Sequence, residues 1–143
     1  MINRELINPQ SIVVVGGSNN VHKPGGRLVR NLLDGKYKGE LYVVNAKEDD
    51  VQGLKSYHSV HDIPETELAI ISIPGPACPE AVDVLAKQKN VKAFIVISAG
   101  FGEETHEGAI LEEQMLKSIN EAGASLIGPN CIGLMNMHYH GVF

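Results

Sequence analysis

The stretch "SIVVVGGSNNVHKPGGRLVRNLLDG" (residues 11–35) decides the fold. Ile12 to Val15 are β-branched and continuous, the pattern of a strand covered on both faces. A polar, glycine-rich loop follows. Leu28, Val29, Leu32 and Leu33 then recur at helical spacing and make one apolar face. Gly35 is expected to supply a left-handed stop. Strand, glycine loop and helix in that order open a βαβ unit.

The loop is shaped like a dinucleotide turn but fails its spacing. From Gly16, the G-x-G-x-x-G pattern needs glycine at 18 and 21, where Ser18 and Val21 stand. From Gly17, it needs glycine at 19 and 22, where Asn19 and His22 stand. The loop still carries anion chemistry. Gly16 and Gly17 permit tight turning and a close backbone approach. Ser18 adds a hydroxyl and Lys23 a positive charge. Gly25 and Gly26 open the helix, whose first N–H groups favour an anion.

Working outward, four more short apolar runs follow: "LYVV" (41–44), "LAIISI" (68–73), "AFIVI" (93–97) and "SLI" (125–127). Helical patterns separate most of them. Pro79 suits the first turn of one helix, which Asn90 can end. Leu111, Met115, Ile119 and Ala122 make the stripe of another, which Gly123 ends. Segment 52–67 is less regular and is expected to hold a short extended piece and a turn of helix. Alternating strands and helices imply parallel pairing and right-handed crossovers. The expected fold is a Rossmann-like α/β domain. It has an open, doubly wound parallel sheet of about five strands in the order 3-2-1-4-5, with helices on both faces. Its ligand crevice lies at the carboxyl ends of the strands.

Function in such a sheet is read at the strand ends. After the second strand, an acidic residue would suit a free ribose. This chain has "NAK", with Lys47, and a cation fits a ribose that carries a phosphate, as in NADP or coenzyme A. After the third strand, "PGP" makes a rigid apolar wall with few donors. After the fourth, Ser98 to Gly102 is small and flexible. After the fifth, "GPNC" presents Cys131, which reads as a packed thiol. His138 and His140 lie in the last few residues, where fraying is expected.

Composition narrows the function classes. The chain has 143 residues and a formal net charge of −5, which argues against nucleic acid as the main partner. Residues 1–55 nonetheless carry a balance of +2 and residues 56–143 one of −7. A polyanionic ligand is therefore drawn to the glycine loop. No apolar run approaches the ~20 residues of a membrane span. Two distant cysteines suit a reducing cytoplasm.

Taken in order, "NPQSIVVVGGS", "GGRLVRNLLDGKYKGELYVVNAK", "LAIISIPGP", "VISAGFGE" and "IGPNCIGLMN" resemble the N-terminal coenzyme A-binding domain of the nucleoside-diphosphate-forming acyl-CoA synthetases. The succinyl-CoA synthetase alpha subunit shares this fold. The resemblance implies that Gly16, Gly17 and Ser18, with Lys23, Pro24 and Gly25, hold the coenzyme A phosphates. It implies that Lys47 meets the nucleotide end, including the 3′-phosphate. Ile73, Pro74, Gly75 and Pro76 would wall the nucleotide and pantetheine, and Ser98, Ala99 and Gly100 would follow the pantetheine. The family often has "VNPK" where this chain has Asn45-Ala46-Lys47, a less rigid turn.

In that family a phosphohistidine carries the phosphoryl group and an ATP-grasp portion binds ATP or ADP with magnesium. This chain reads as a single coenzyme A-binding domain over 1–143, either a fragment of a longer ligase or a stand-alone protein, without catalytic or metal-binding residues of its own. The partners implied are coenzyme A or acyl-CoA and the following phosphohistidine and ATP-grasp domains. Two alternatives stay open. One is a regulatory coenzyme A-binding module, alone or attached to an acetyltransferase. The other is an NADP-binding domain.

Overall fold

A computed structural model describes all 143 residues. The elements are α1 (Arg4–Ile7), β1 (Ser11–Val15), α2 (Pro24–Asp34), β2 (Glu40–Val44), β3 (Asp50–Val51), β4 (Leu54–Tyr57), β5 (Leu68–Ile71), α3 (Cys78–Gln88), β6 (Ala93–Val96), α4 (His106–Glu121), β7 (Ser125–Ile127), β8 (Gly133–Met135) and β9 (His140–Val142). Single 3-10 turns at Val60–Asp62 and Gly75–Ala77 complete the list.

One sheet of seven strands runs in the order β3-β4-β2-β1-β5-β6-β7. All neighbours pair parallel except β3, which lies antiparallel on β4. The class is the Rossmann-like one expected from the sequence, with two more strands. The order needs one correction. The run at 68–73 does not stand beyond β2 as a third strand; β5 pairs with β1. The outer place next to β2 belongs to β4. The sequence of β4, "LKSY", has Lys55 and Ser56 at its centre, so it lacks the continuous apolar signal of its neighbours.

Alternation along the strands divides the core in two. Val13, Val15, Ile71 and Phe94 face α3 and α4, against Val82, Leu85, Met115 and Ile119. Ile12, Val14, Ile70 and Ile95 face the other way, against Leu28, Val29 and Leu32 of α2. On that second side the chain's last residues complete the cover. The β8–β9 hairpin packs there, and Tyr139 is buried with its hydroxyl donating to Leu6 O at 2.6 Å. The C-terminus therefore does not fray. Gly35 is also not the left-handed stop of α2: its φ is −74°, and Lys36 takes the left-handed place at φ 55°. No helix is long and apolar enough to cross a membrane.

Candidate functional site

The carboxyl ends of β1, β2, β4 and β5 open onto one groove. A cleft of about 510 Å³ is lined by Gly16, Lys23, Asn45, Lys47, His58, Ile73 and Glu80, among others. A smaller hollow of about 330 Å³ continues it over Gly17, Ser18, Pro24, Gly25 and Pro74. The two share Gly16, Lys23, Asn45 and Ile73, so they form one surface. Val15, Val44, Val60, Ala77 and Ala81 give its middle an apolar wall.

The glycines of the loop have a reason other than ligand approach. A Cβ on Gly16 would stand 2.1 Å from Ser72 O, and one on Gly25 would stand 2.0 Å from Gly16 O. Glycine is required there so that β1, the loop and α2 can pack on each other. The anion chemistry remains. Lys23 is the N-cap of α2 and offers no side-chain cap, and Pro24 has no N–H to satisfy. The N–H groups of Gly25 and Gly26 have no acceptor within the chain. Lys23 and Lys47 both reach the cleft, and neither takes part in an ion pair.

Two residues outside the expected set hold the groove together. Asn45 Nδ2 donates to Gly17 O at 2.8 Å, and its Oδ1 accepts from the N–H groups of Lys47 and Glu48. This one side chain orients both the glycine loop and the Lys47 turn. "NAK" carried the signal, since asparagine after a strand builds such turns. Gln52, at the tip of the β3–β4 hairpin, bonds to the loop from the far side. Nothing in the local sequence marked it, because its partners lie 34 and 26 residues away.

The remaining expected residues sit apart from the groove. Ser98 is buried, and its hydroxyl both donates to Ile73 O and accepts from Ile73 N–H. It latches the β6 exit to the β5 exit. Gly75 is buried against Ala99, where a Cβ would stand 3.1 Å from Ala99 O. Pro76 is exposed, as is Ala99, and Gly100 is half-buried. Beyond them, Glu103 accepts from the N–H groups of Gly100 and Phe101. Its own N–H and those two donors hold its carboxyl below the usual glutamate range.

Burial pushes both thiols, Cys78 and Cys131, above the ordinary cysteine value. Cys131 donates to Val96 O, so it fills a turn and carries no nucleophile's environment.

A groove lined by two lysines, a free helix N–H group and an apolar wall suits an extended phosphorylated ligand. A family model described as "CoA binding domain" matches residues 10–137. The chain belongs to that family. Its relatives in the coenzyme A-binding family include the alpha subunit of acetate–CoA ligase [ADP-forming] II from Pyrococcus furiosus, 40% identical over 135 residues. That match covers 93% of this chain and 29% of the relative. The acetate–CoA ligase [ADP-forming] II of Archaeoglobus fulgidus is 39% identical over 134 residues, 93% of this chain and 20% of that protein. Among solved structures, the dinucleotide-forming acetyl-coenzyme A synthetase 1 of Ca. Korarchaeum cryptofilum superposes with a TM-score of 0.88 at 33% identity. That superposition covers 97% of this chain and 30% of the synthetase. The chain thus spans less than a third of the length of each of these three proteins.

Proposed function

We propose that this chain binds coenzyme A in the groove between Lys23 and Lys47, as the coenzyme A-binding part of an ADP-forming acyl-CoA ligase. One observation carries the reading. Two unpaired lysines, the free Gly25 N–H at the start of α2 and an apolar wall line a single groove. Coenzyme A carries the matching groups: a 5′-diphosphate and a 3′-phosphate on one ribose, with a flat base and a pantetheine arm for the apolar wall.

On this reading, Gly25 and Gly26 with Lys23 receive the diphosphate. Lys47 faces the 3′-phosphate, and Ile73 with Pro74 walls the nucleotide and the start of the pantetheine. ATP or ADP, magnesium and the phosphohistidine belong to the parts of the relatives that this chain does not match. The chain alone is then a binding domain without turnover. The two free thiols suit a reducing cytoplasm.

Calorimetric titration with coenzyme A and with dephospho-coenzyme A tests the assignment. The wild-type chain binds coenzyme A more tightly. Lys47→Gln weakens coenzyme A about tenfold, the scale of one lost charge-assisted contact, and leaves dephospho-coenzyme A unchanged. Equal wild-type affinities remove the role of Lys47. Absence of binding to either ligand removes the groove.

A further inference from the structure

We propose that Gln52 is a positioning residue for the anion loop, acting through the loop rather than on the ligand. The inference rests on the reading of the groove as a coenzyme A site. The amide nitrogen of Gln52 donates to Ser18 O at 2.8 Å and to Gly26 O at 2.9 Å. Both N–H bonds of that nitrogen are thereby used. Ser18 lies at the start of the loop and Gly26 in the first turn of α2. One side chain therefore sets the separation between the two ends of the loop.

The hairpin is built to deliver that amide. Gln52 has φ 51°, a conformation that non-glycine residues seldom adopt. Asp50 Oδ1 accepts from Gly53 N–H at 3.0 Å and closes the turn. Asn19 then straps the hairpin to the loop from both directions. Its Oδ1 accepts from Gln52 N–H at 2.7 Å, and its Nδ2 donates to Asp50 O at 2.9 Å.

Gly16 and Gly17 in the loop, and Gly25 and Gly26 in the first turn of α2, have more backbone freedom to lose than other residues. A brace that orders them beforehand removes that cost from binding. An unusual φ maintained by several bonds beside a proposed phosphate site fits such a purpose.

The test compares the wild-type chain with Gln52→Met, which keeps the length and loses the donor, and Gln52→Glu, which presents only acceptors to two carbonyls. Coenzyme A is titrated calorimetrically. Inorganic pyrophosphate and adenosine 3′-monophosphate are titrated by ¹⁵N NMR. Gln52→Met weakens coenzyme A about tenfold, and Gln52→Glu weakens it further. The pyrophosphate-induced shifts of the Gly25 and Gly26 amides fade in both variants, while the response of the Lys47 amide to adenosine 3′-monophosphate persists.

Should Gln52→Met not fold, Asn19→Ala at an exposed position cuts the same strap and gives the same split. Coenzyme A affinity within twofold of wild type in Gln52→Met overturns the proposal. So does an equal loss for pyrophosphate and adenosine 3′-monophosphate. A wild-type chain that ignores coenzyme A but binds pyrophosphate in a Gln52-dependent way overturns the coenzyme A reading and keeps the brace. Binding of neither overturns both.

Discussion

Asn45 Nδ2 meets Gly17 O at 2.8 Å, which fixes the end of β2 against the loop that follows β1. The same side chain receives the N–H groups of Lys47 and Glu48, so the glycine loop and the Lys47 turn share one anchor. Asn45→Ala is expected to cost about 1–2 kcal/mol, a fall of roughly 3–6 °C in melting temperature. It is also expected to weaken coenzyme A. Asn45→Asp keeps the acceptor half and loses the donor, and it adds a negative charge to an anion groove. Calorimetry should rank the affinities wild type, Asn45→Ala, Asn45→Asp. An Asn45→Asp variant that binds as well as wild type would show that the groove takes no polyanion.

Two glycines with nearly the same dihedral angle should respond differently to alanine. Gly16 has φ 94° and Gly53 has φ 88°. A Cβ on Gly16 would collide with Ser72 O, whereas one on Gly53 meets nothing within 4 Å. Gly53→Ala therefore costs only the left-handed penalty, about 1–2 kcal/mol. Gly16→Ala adds displacement of the β5 exit and is expected to abolish the folded state or to cost well over twice as much. Urea unfolding of the two variants decides between them, and equal midpoints would refute the packing account of the Gly16 turn.

Ser98 spends its hydroxyl twice on Ile73, as donor to the carbonyl and as acceptor from the N–H. Ser98→Ala leaves both backbone groups without that partner in a buried place, at a cost of about 1–3 kcal/mol. Because its one proton is already committed, Ser98 acts on the groove through the Ile73 wall. Coenzyme A and ADP, which lacks pantetheine, should lose affinity by the same factor. A loss confined to coenzyme A would instead assign Ser98 a direct pantetheine contact.

Much of this was legible in the sequence where the signal is local. The continuous apolar runs located β1, β2, β5, β6 and β7, because strands buried on both faces carry no polar interruption. Lys23, Lys47 and Ile73 line the groove that the fold places after the strands, where ligand crevices in such sheets lie. What escaped depends on distant partners. β4, the short extended piece expected within 52–67, has Lys55 and Ser56 at its centre and gave no sign of joining the sheet beside β2, which shifted the strand order. The brace made by Gln52 joins residues that no motif connects. Ser98 looked like a flexible ligand contact, and only its bonds to Ile73, 25 residues away, reveal a latch.

Arg4 and Glu67 give the domain its clearest dependence on pH. Arg4 contacts both carboxylate oxygens of Glu67, at 3.0 and 2.7 Å, and Glu67 also accepts from Gln10 N–H at 2.8 Å. The Arg4 hydrogen bond, aided by the Gln10 N–H, lowers the Glu67 pKa below its ordinary value. The pair ties α1 to the edge that leads into β1 and β5. With the folded-state pKa below that of the unfolded chain, the stabilisation is complete above the ordinary glutamate range, about 4.3, and is lost as pH falls through the lowered value. The half-exposed Arg4 and solvent screening keep the contribution small. Urea midpoints measured from pH 7 downward should fall for wild type below about pH 5. Glu67→Gln should start lower at pH 7 and show a shallower acid decline, with the two curves converging in acid. Parallel curves would locate the acid sensitivity in other carboxylates, such as Asp83, whose pKa the Lys87 hydrogen bond also lowers.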